Sequence, residues 1–148
     1  MTHSQTVQDL IFASNTLTRV AAIETRNETP SAQWRTLVLL REHGPLRIGE
    51  LARLSRTTQP GITRLIGGMV EAGLVTREQD SDDSRAVVIA VTERGLQAYD
   101  QWCTELVAAL LPRFEGLNED EWRALTMTAE ILMLRIGQVD KDAQREDT

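Results

Sequence analysis

The segment Leu46–Thr92, LRIGELARLSRTTQPGITRLIGGMVEAGLVTREQDSDDSRAVVIAVT, decides the fold. Ile48, Leu51 and Leu54 lie on one face of a short helix predicted from about Ile48 to Leu54. A turn at Ser55 to Thr58 follows. Thr57 or Thr58 can cap the next helix, with Pro60 in its first turn, where a missing N–H has no partner to lose. Ile62, Leu65, Ile66, Met69 and Val70 predict the buried stripe of that helix, and Gly73 its end. From Leu74 to Glu78 and from Ala86 to Val91 the pattern becomes short and β-branched around an Asp- and Ser-rich connection, which predicts a hairpin with an extended tip.

Outside this segment the chain reads as helical. Val7, Leu10, Ile11, Leu17 and Val20 predict a first helix from about Thr6 to Thr25, ended by Asn27 to Pro30. Thr29-Pro30 signals the start of a second helix, which runs through Trp34, Leu37, Val38 and Leu40 until Gly44-Pro45 stops it. Thr92-Glu93-Arg94-Gly95 opens a long helix with Leu96, Tyr99, Cys103, Leu106 and Leu110 on one seam. Asn118 and Glu121 form a capping-box pattern for a last helix carrying Trp122, Leu125, Ala129, Leu132 and Ile136. The steps of three and four on these two helices call for helical partners along their whole length. Met1 to Thr6 and Val139 to Thr148 are the expected loose ends.

At 148 residues the chain has the size of one domain, able to bury about two thirds of its extended-chain surface in a single core. No apolar run approaches the roughly 20 residues that cross a bilayer. The polar start Thr2-His3-Ser4-Gln5 lacks the basic-then-apolar order of a secretion signal, so a cytoplasmic location is expected. The lone Cys103 cannot form an internal disulfide and fits a reducing compartment. With two histidines beside it, no protein-built metal site and no cofactor are expected. Neither a Gly-rich phosphate loop nor a nucleophile with a recognisable base appears, which argues against an enzyme.

The net charge of −6 hides an uneven distribution. Gln33 to Gly95 holds nine arginines against eight acids, whereas the rest holds seven cations against fourteen acids, so the middle is nearly neutral between acidic flanks. Within that middle, Thr57, Thr58, Gln59, Thr63 and Arg64 cluster at the N-terminal half of the fourth helix. Its dipole favours nearby phosphate, and Gln59 and Arg64 can each pair with base edges. A solvated amphipathic face would carry the same residues, and the hairpin weighs against that reading. Its tip holds Asp80, Asp82 and Asp83, which phosphate would repel. Asp83 is positioned to pair with the Arg85 guanidinium and aim it at a minor groove, the alternative being a surface salt bridge of under about 1 kcal/mol.

The order of elements, the segment Gln59-Pro60-Gly61-Ile62-Thr63-Arg64-Leu65, the run Glu71-Ala72-Gly73-Leu74-Val75-Thr76-Arg77, and Asp83-x-Arg85 followed by Val91-Thr92 resemble the MarR family of bacterial winged-helix regulators. The resemblance spans Leu10 to Ile136, with Val91 in place of the family's Leu. It implies a mainly α (α+β) fold, a single MarR-type domain over 1–148. The winged helix-turn-helix lobe is expected at 30–95 and a helical dimerisation lobe at 6–25 and 96–137. It further implies a homodimer on a palindromic operator, usually a repressor. The DNA-contacting set would be Arg56, Thr57, Thr58, Gln59, Pro60, Thr63, Arg64, Arg77, Asp83 and Arg85. Gly67-Gly68 inside the fourth helix departs from the pattern and costs about 1 kcal/mol per glycine. The expected reason is close approach of a neighbouring helix.

Release by a small aromatic or phenolic ligand is a further implication, with Phe12, Asn15, Arg19, Trp34, His43 and Trp102 as candidate lining. Trp34 and Trp102 read first as core or interface aromatics, and helix capping is the alternative for His43. Cys103, on an apolar seam, reads as structural rather than redox-active. A winged-helix adaptor that binds protein instead of DNA is the competing function.

Overall fold

The structure, a computed structural model, describes residues 1–26, 29 and 31–136. The chain forms two compact units, Met1–Leu110 and Leu111–Thr148, the second described as far as Ile136.

The first unit begins with α1 (His3–Thr25). Here the expected loose N-terminus is instead ordered by a capping box. Gln5 N–H donates to Thr2 Oγ1 at 3.2 Å, and Thr2 N–H donates to Gln5 Oε1 at 2.9 Å. That pairing satisfies two of the helix's orphan donors and moves its start ahead of Thr6. The expected helix break at Asn27, Glu28 and Pro30 lies outside the described residues. α2 (Ser31–His43) stops at Gly44, which takes a φ of 77° and donates its N–H to Leu40 O at 3.0 Å.

Next come β1 (Leu46–Arg47), α3 (Ile48–Ser55), α4 (Gln59–Glu71), β2 (Val75–Gln79), β3 (Val87–Val91) and α5 (Glu93–Leu110). The sequence pattern pointed to two strands; the sheet has three, in the order β1-β3-β2, all antiparallel. Two residues are too few to show any periodicity, and β1 exists because Leu46 and Arg47 pair with Ile89 and Val88. Ile62, Ile66 and Met69 of α4 pack with Leu37, Leu40, Leu51, Val75 and Ile89 into a core that lies entirely between Trp34 and Ile89. Leu65 and Val70, expected in the same stripe, are half-buried at its edge.

α4 ends in a Schellman turn. Gly73 has a φ of 75° and donates its N–H to Val70 O, while Leu74 N–H donates to Met69 O at 2.9 Å. Thr92 then ties the base of the ribbon to this turn. Its hydroxyl donates to Gly73 O at 2.6 Å and accepts the Gly95 N–H at 3.0 Å, and its own N–H donates to Leu74 O at 3.0 Å. Gly95 is required by space, since a Cβ there would lie 2.2 Å from Leu74 O. Gly67 and Gly68 are different, because a Cβ at either would meet nothing within 4 Å. Among the described residues no helix of this unit approaches them, contrary to the expectation from sequence.

In the second unit a 3-10 turn (Leu111–Phe114) precedes α6 (Glu119–Ile136). The capping box read from the sequence is present, with Asn118 N–H donating to Glu121 Oε2 at 2.8 Å and Glu121 N–H to Asn118 Oδ1 at 2.9 Å. No described residue of α6 is buried, and Leu125, Met127, Ile131, Met133, Leu134 and Ile136 all stand exposed.

Two glycine substitutions should therefore act in opposite directions. Gly95→Ala is expected to destabilise the protein by about 1–3 kcal/mol through overpacking. Gly67→Ala should stabilise it by about 1 kcal/mol through helix propensity. Denaturant melts of both variants check the pair, and equal midpoints would contradict the packing described.

Candidate nucleic-acid interface

α3 ends at Arg56, which adopts a left-handed φ of 52° and closes the turn by donating its N–H to Arg53 O at 3.1 Å. Glycine would occupy that conformation at less steric cost, and Arg26 at the end of α1 adopts it too, with a φ of 50°. Thr57 bonds back to Ser55 O, and Thr58 caps α4 by accepting the Gly61 N–H at 3.3 Å. Of the two threonines offered by the sequence, Thr58 is the cap.

Arg56, Thr57, Thr58, Gln59, Pro60, Thr63 and Arg64 are all exposed and are brought together on the turn and the outer face of α4. The Thr63 hydroxyl donates to Gln59 O at 2.8 Å, which leaves its methyl group and the acceptor side of its oxygen to meet a partner. Arg56, Arg64, Arg77 and Arg85 take part in no ion pair among the described residues. Arg56 lies on the turn, Arg64 on α4, Arg77 on β2 and Arg85 at the ribbon tip, each of them exposed.

The ribbon tip, residues 80–86, is braced internally. Asp80 N–H donates to Ala86 O, Ala86 N–H to Asp83 O, and Gln79 Nε2 to Ser84 O at 2.7 Å. Asp83 does not pair with the Arg85 guanidinium as anticipated. Its Oδ1 accepts the Arg85 backbone N–H at 3.0 Å, because a two-residue spacing in a turn favours the Asx bond to the main chain. The effect is to fix the backbone at Arg85 and leave its side chain exposed.

A contact that the sequence did not disclose involves Arg47. Its Nε donates to Asp80 Oδ2 at 2.8 Å, and its second nitrogen, NH2, lies 2.6 Å from the same oxygen. Asp80 Oδ1 accepts the Asp82 N–H at 3.0 Å. The bond from Asp82 and then the Arg47 guanidinium hold the Asp80 carboxyl below its ordinary range, and Asp80 in turn raises Arg47. The partners are 33 positions apart, so no local pattern pairs them.

The other candidate residues divide. Trp34 and Trp102 stack with centroids 4.8 Å apart and planes 11° apart, forming one wall of a cavity of about 240 Å³. Leu17, Thr18, Ala21 and Ala22 of α1, Thr29 and Ser31, and Leu106 and Leu110 of α5 complete the lining. Phe12, Asn15, Arg19 and His43 do not line it. On α1 the first three fall on a neighbouring helical stripe, and Phe12 is 75% exposed. His43 lies at the far end of α2 from Trp34. Cys103 is half-buried beside Tyr99, whose pKa is raised by burial and then by its hydrogen bond with Cys103. Among the described residues no cluster could hold a metal ion, and no helix is long and apolar enough to cross a membrane.

Two helices joined by a tight turn, the second presenting a polar outer face beside a three-stranded sheet with a projecting ribbon, define a winged helix-turn-helix protein. The MarR family model matches residues 30–87. An HTH-type transcriptional regulator of Bacillus cereus is 32% identical over 68% of this chain and 67% of its own length. The HTH-type transcriptional repressor IacR of Pseudomonas putida is 31% identical, over 68% of this chain and 60% of the relative. The solved structure of a MarR family protein from Bacillus stearothermophilus superposes with a TM-score of 0.69 at 23% identity, covering 93% of this chain and 99% of that one. The chain belongs to the MarR family, whose members matched here are transcriptional regulators rather than enzymes.

The lowered Asp80 pKa has a definite sign. Its contribution to stability is complete above the unfolded value of about 3.9 and is lost as pH falls through the folded value. NMR titration of the side-chain carboxyl should give a midpoint below about 3.9, moving upward in Arg47→Ala. A wild-type midpoint at or above the free value would contradict the contact.

Proposed function

We propose that the chain is a homodimeric repressor that reads a palindromic operator with α4 and grips beside it with Arg85, and that a small aromatic ligand releases it. The observation that carries this is the exposed, unpaired set Arg56, Arg64, Arg77 and Arg85 on a turn, a helix and a ribbon. The DNA contacts assigned are Arg56, Thr57, Thr58, Gln59, Pro60, Thr63 and Arg64 to the major groove and its flanking phosphates, with Arg77, Asp83 and Arg85 placing the ribbon.

The homodimer is supported by apolar surface left without a partner. Val7, Ile11 and Leu17 of α1 and Leu125, Ile131 and Leu134 of α6 are each at least 41% exposed within one chain. The stretches 6–25 and 96–137 thus serve as the dimerisation lobe and 30–95 as the DNA-reading lobe. A two-fold pair would set its reading helices about 34–36 Å apart, matching half-sites one helical turn apart. Repression is the role carried by the name of the P. putida relative. The effector is placed at the cavity walled by the Trp34–Trp102 stack, and a chain of this family acts in the cytoplasm.

The test is titration of a duplex recovered from a random-sequence library by the wild-type protein. Affinity should fall with salt at a log–log slope of about −0.9 per phosphate neutralised. Arg64→Ala should cost about 1–3 kcal/mol and relax specificity within the half-site. Arg85→Ala should weaken binding with the fold intact. Wild-type affinity in both variants would show that the surface is wrongly assigned.

A further inference from the structure

We propose that Arg47 and Asp80 form a latch that sets the ribbon against the first helix of the helix-turn-helix and so positions Arg85 for DNA. The inference rests on the DNA-reading function above and assigns two positioning residues to it.

Arg47 occupies the N-cap of α3, yet its side chain makes no capping bond. Ser, Thr, Asp or Asn would serve there, and a cation at a helix N-terminus opposes the dipole. Arg47 is therefore locally unfavourable and is used elsewhere. It reaches Asp80 at the neck of the ribbon with two nitrogens on one carboxylate oxygen. The Asp80 side chain is only 14% exposed although it belongs to a surface loop. Its second oxygen holds the Asp82 N–H, and its own N–H holds Ala86 O. Asp80 thus joins the tip to itself and, through Arg47, to the helices.

The consequence is electrostatic as well as mechanical. The tip carries Asp80, Asp82 and Asp83 against the single cation Arg85. A ribbon free to turn would present carboxylates to phosphate as readily as it presents Arg85. With Asp80 bound to Arg47 and Asp83 bound to the Arg85 backbone, two of the three are engaged and Arg85 is left outward.

Asp80→Asn separates this latch from simple charge. Removing a negative charge beside DNA should by electrostatics alone tighten binding. Loss of the latch should instead weaken it, by about tenfold on the library-selected duplex. In an Arg85→Ala background the same change should cost nothing further, because the group being positioned is gone. Hydroxyl-radical footprints of Asp80→Asn should lose the flanking minor-groove protection, as those of Arg85→Ala do, and keep the rest. Arg47→Ala, which leaves the bond from the Asp82 N–H to Asp80 in place, should lose the same protection. A circular dichroism spectrum of Asp80→Asn unchanged from wild type at the assay temperature would confirm that the fold is kept, while its melting temperature falls with the loss of the ion pair. Asp80→Asn binding as tightly as wild type or tighter would overturn the latch alone. A wild-type protein that binds no duplex would overturn the DNA-reading function itself.

Discussion

The placement of the ribbon's root beside α4 depends on the knot in which Thr92 bonds to Gly73, Leu74 and Gly95. Four elements meet there: the end of α4, the start of β2, the end of β3 and the start of α5. One hydroxyl uses both its donor and its acceptor capacity, and the carbonyl of Leu74 approaches so closely that residue 95 can carry no side chain. The root of the ribbon and the end of the helix it accompanies are thereby joined at one point. A surface assembled from a turn, a helix and a ribbon can match a rigid duplex only if those parts keep their relative places.

What was legible in the sequence was what short-range chemistry determines. Thr58 with Pro60, Gly73 after Val70, and Asn118 with Glu121 each announced a helix end, and each end falls within a residue or two of where those groups placed it. The buried stripe of α4 was legible for the same reason, since Ile62, Ile66 and Met69 step at the helical period. The ribbon was legible from its β-branched runs. The exposed positions of α4 could be named, although their use on DNA remains the reading proposed above.

What was not legible required information from distant residues or from competing local bonds. β1 is two residues long and exists only because β3 lies beside it. Arg47 and Asp80 are joined across a strand and two helices. Asp83 chose a main-chain donor over a guanidinium because the closer bond closes a turn. For the cavity, residue type suggested Phe12, Asn15 and Arg19, whereas the stripe of α1 that reaches it carries Leu17, Thr18, Ala21 and Ala22. The paired glycines suggested a close neighbour that is absent among the described residues, leaving bare backbone on the outer side of α4.

The stacked indoles add a mechanical aspect to the same knot. Trp102 sits near the middle of α5, a rod about 27 Å long at 1.5 Å per residue. Thr92 pins one end of that rod, and the indole of Trp34 bears on its midpoint. A tilt of that rod would reach the end of α4 and the root of the ribbon together, since Thr92 bonds to both.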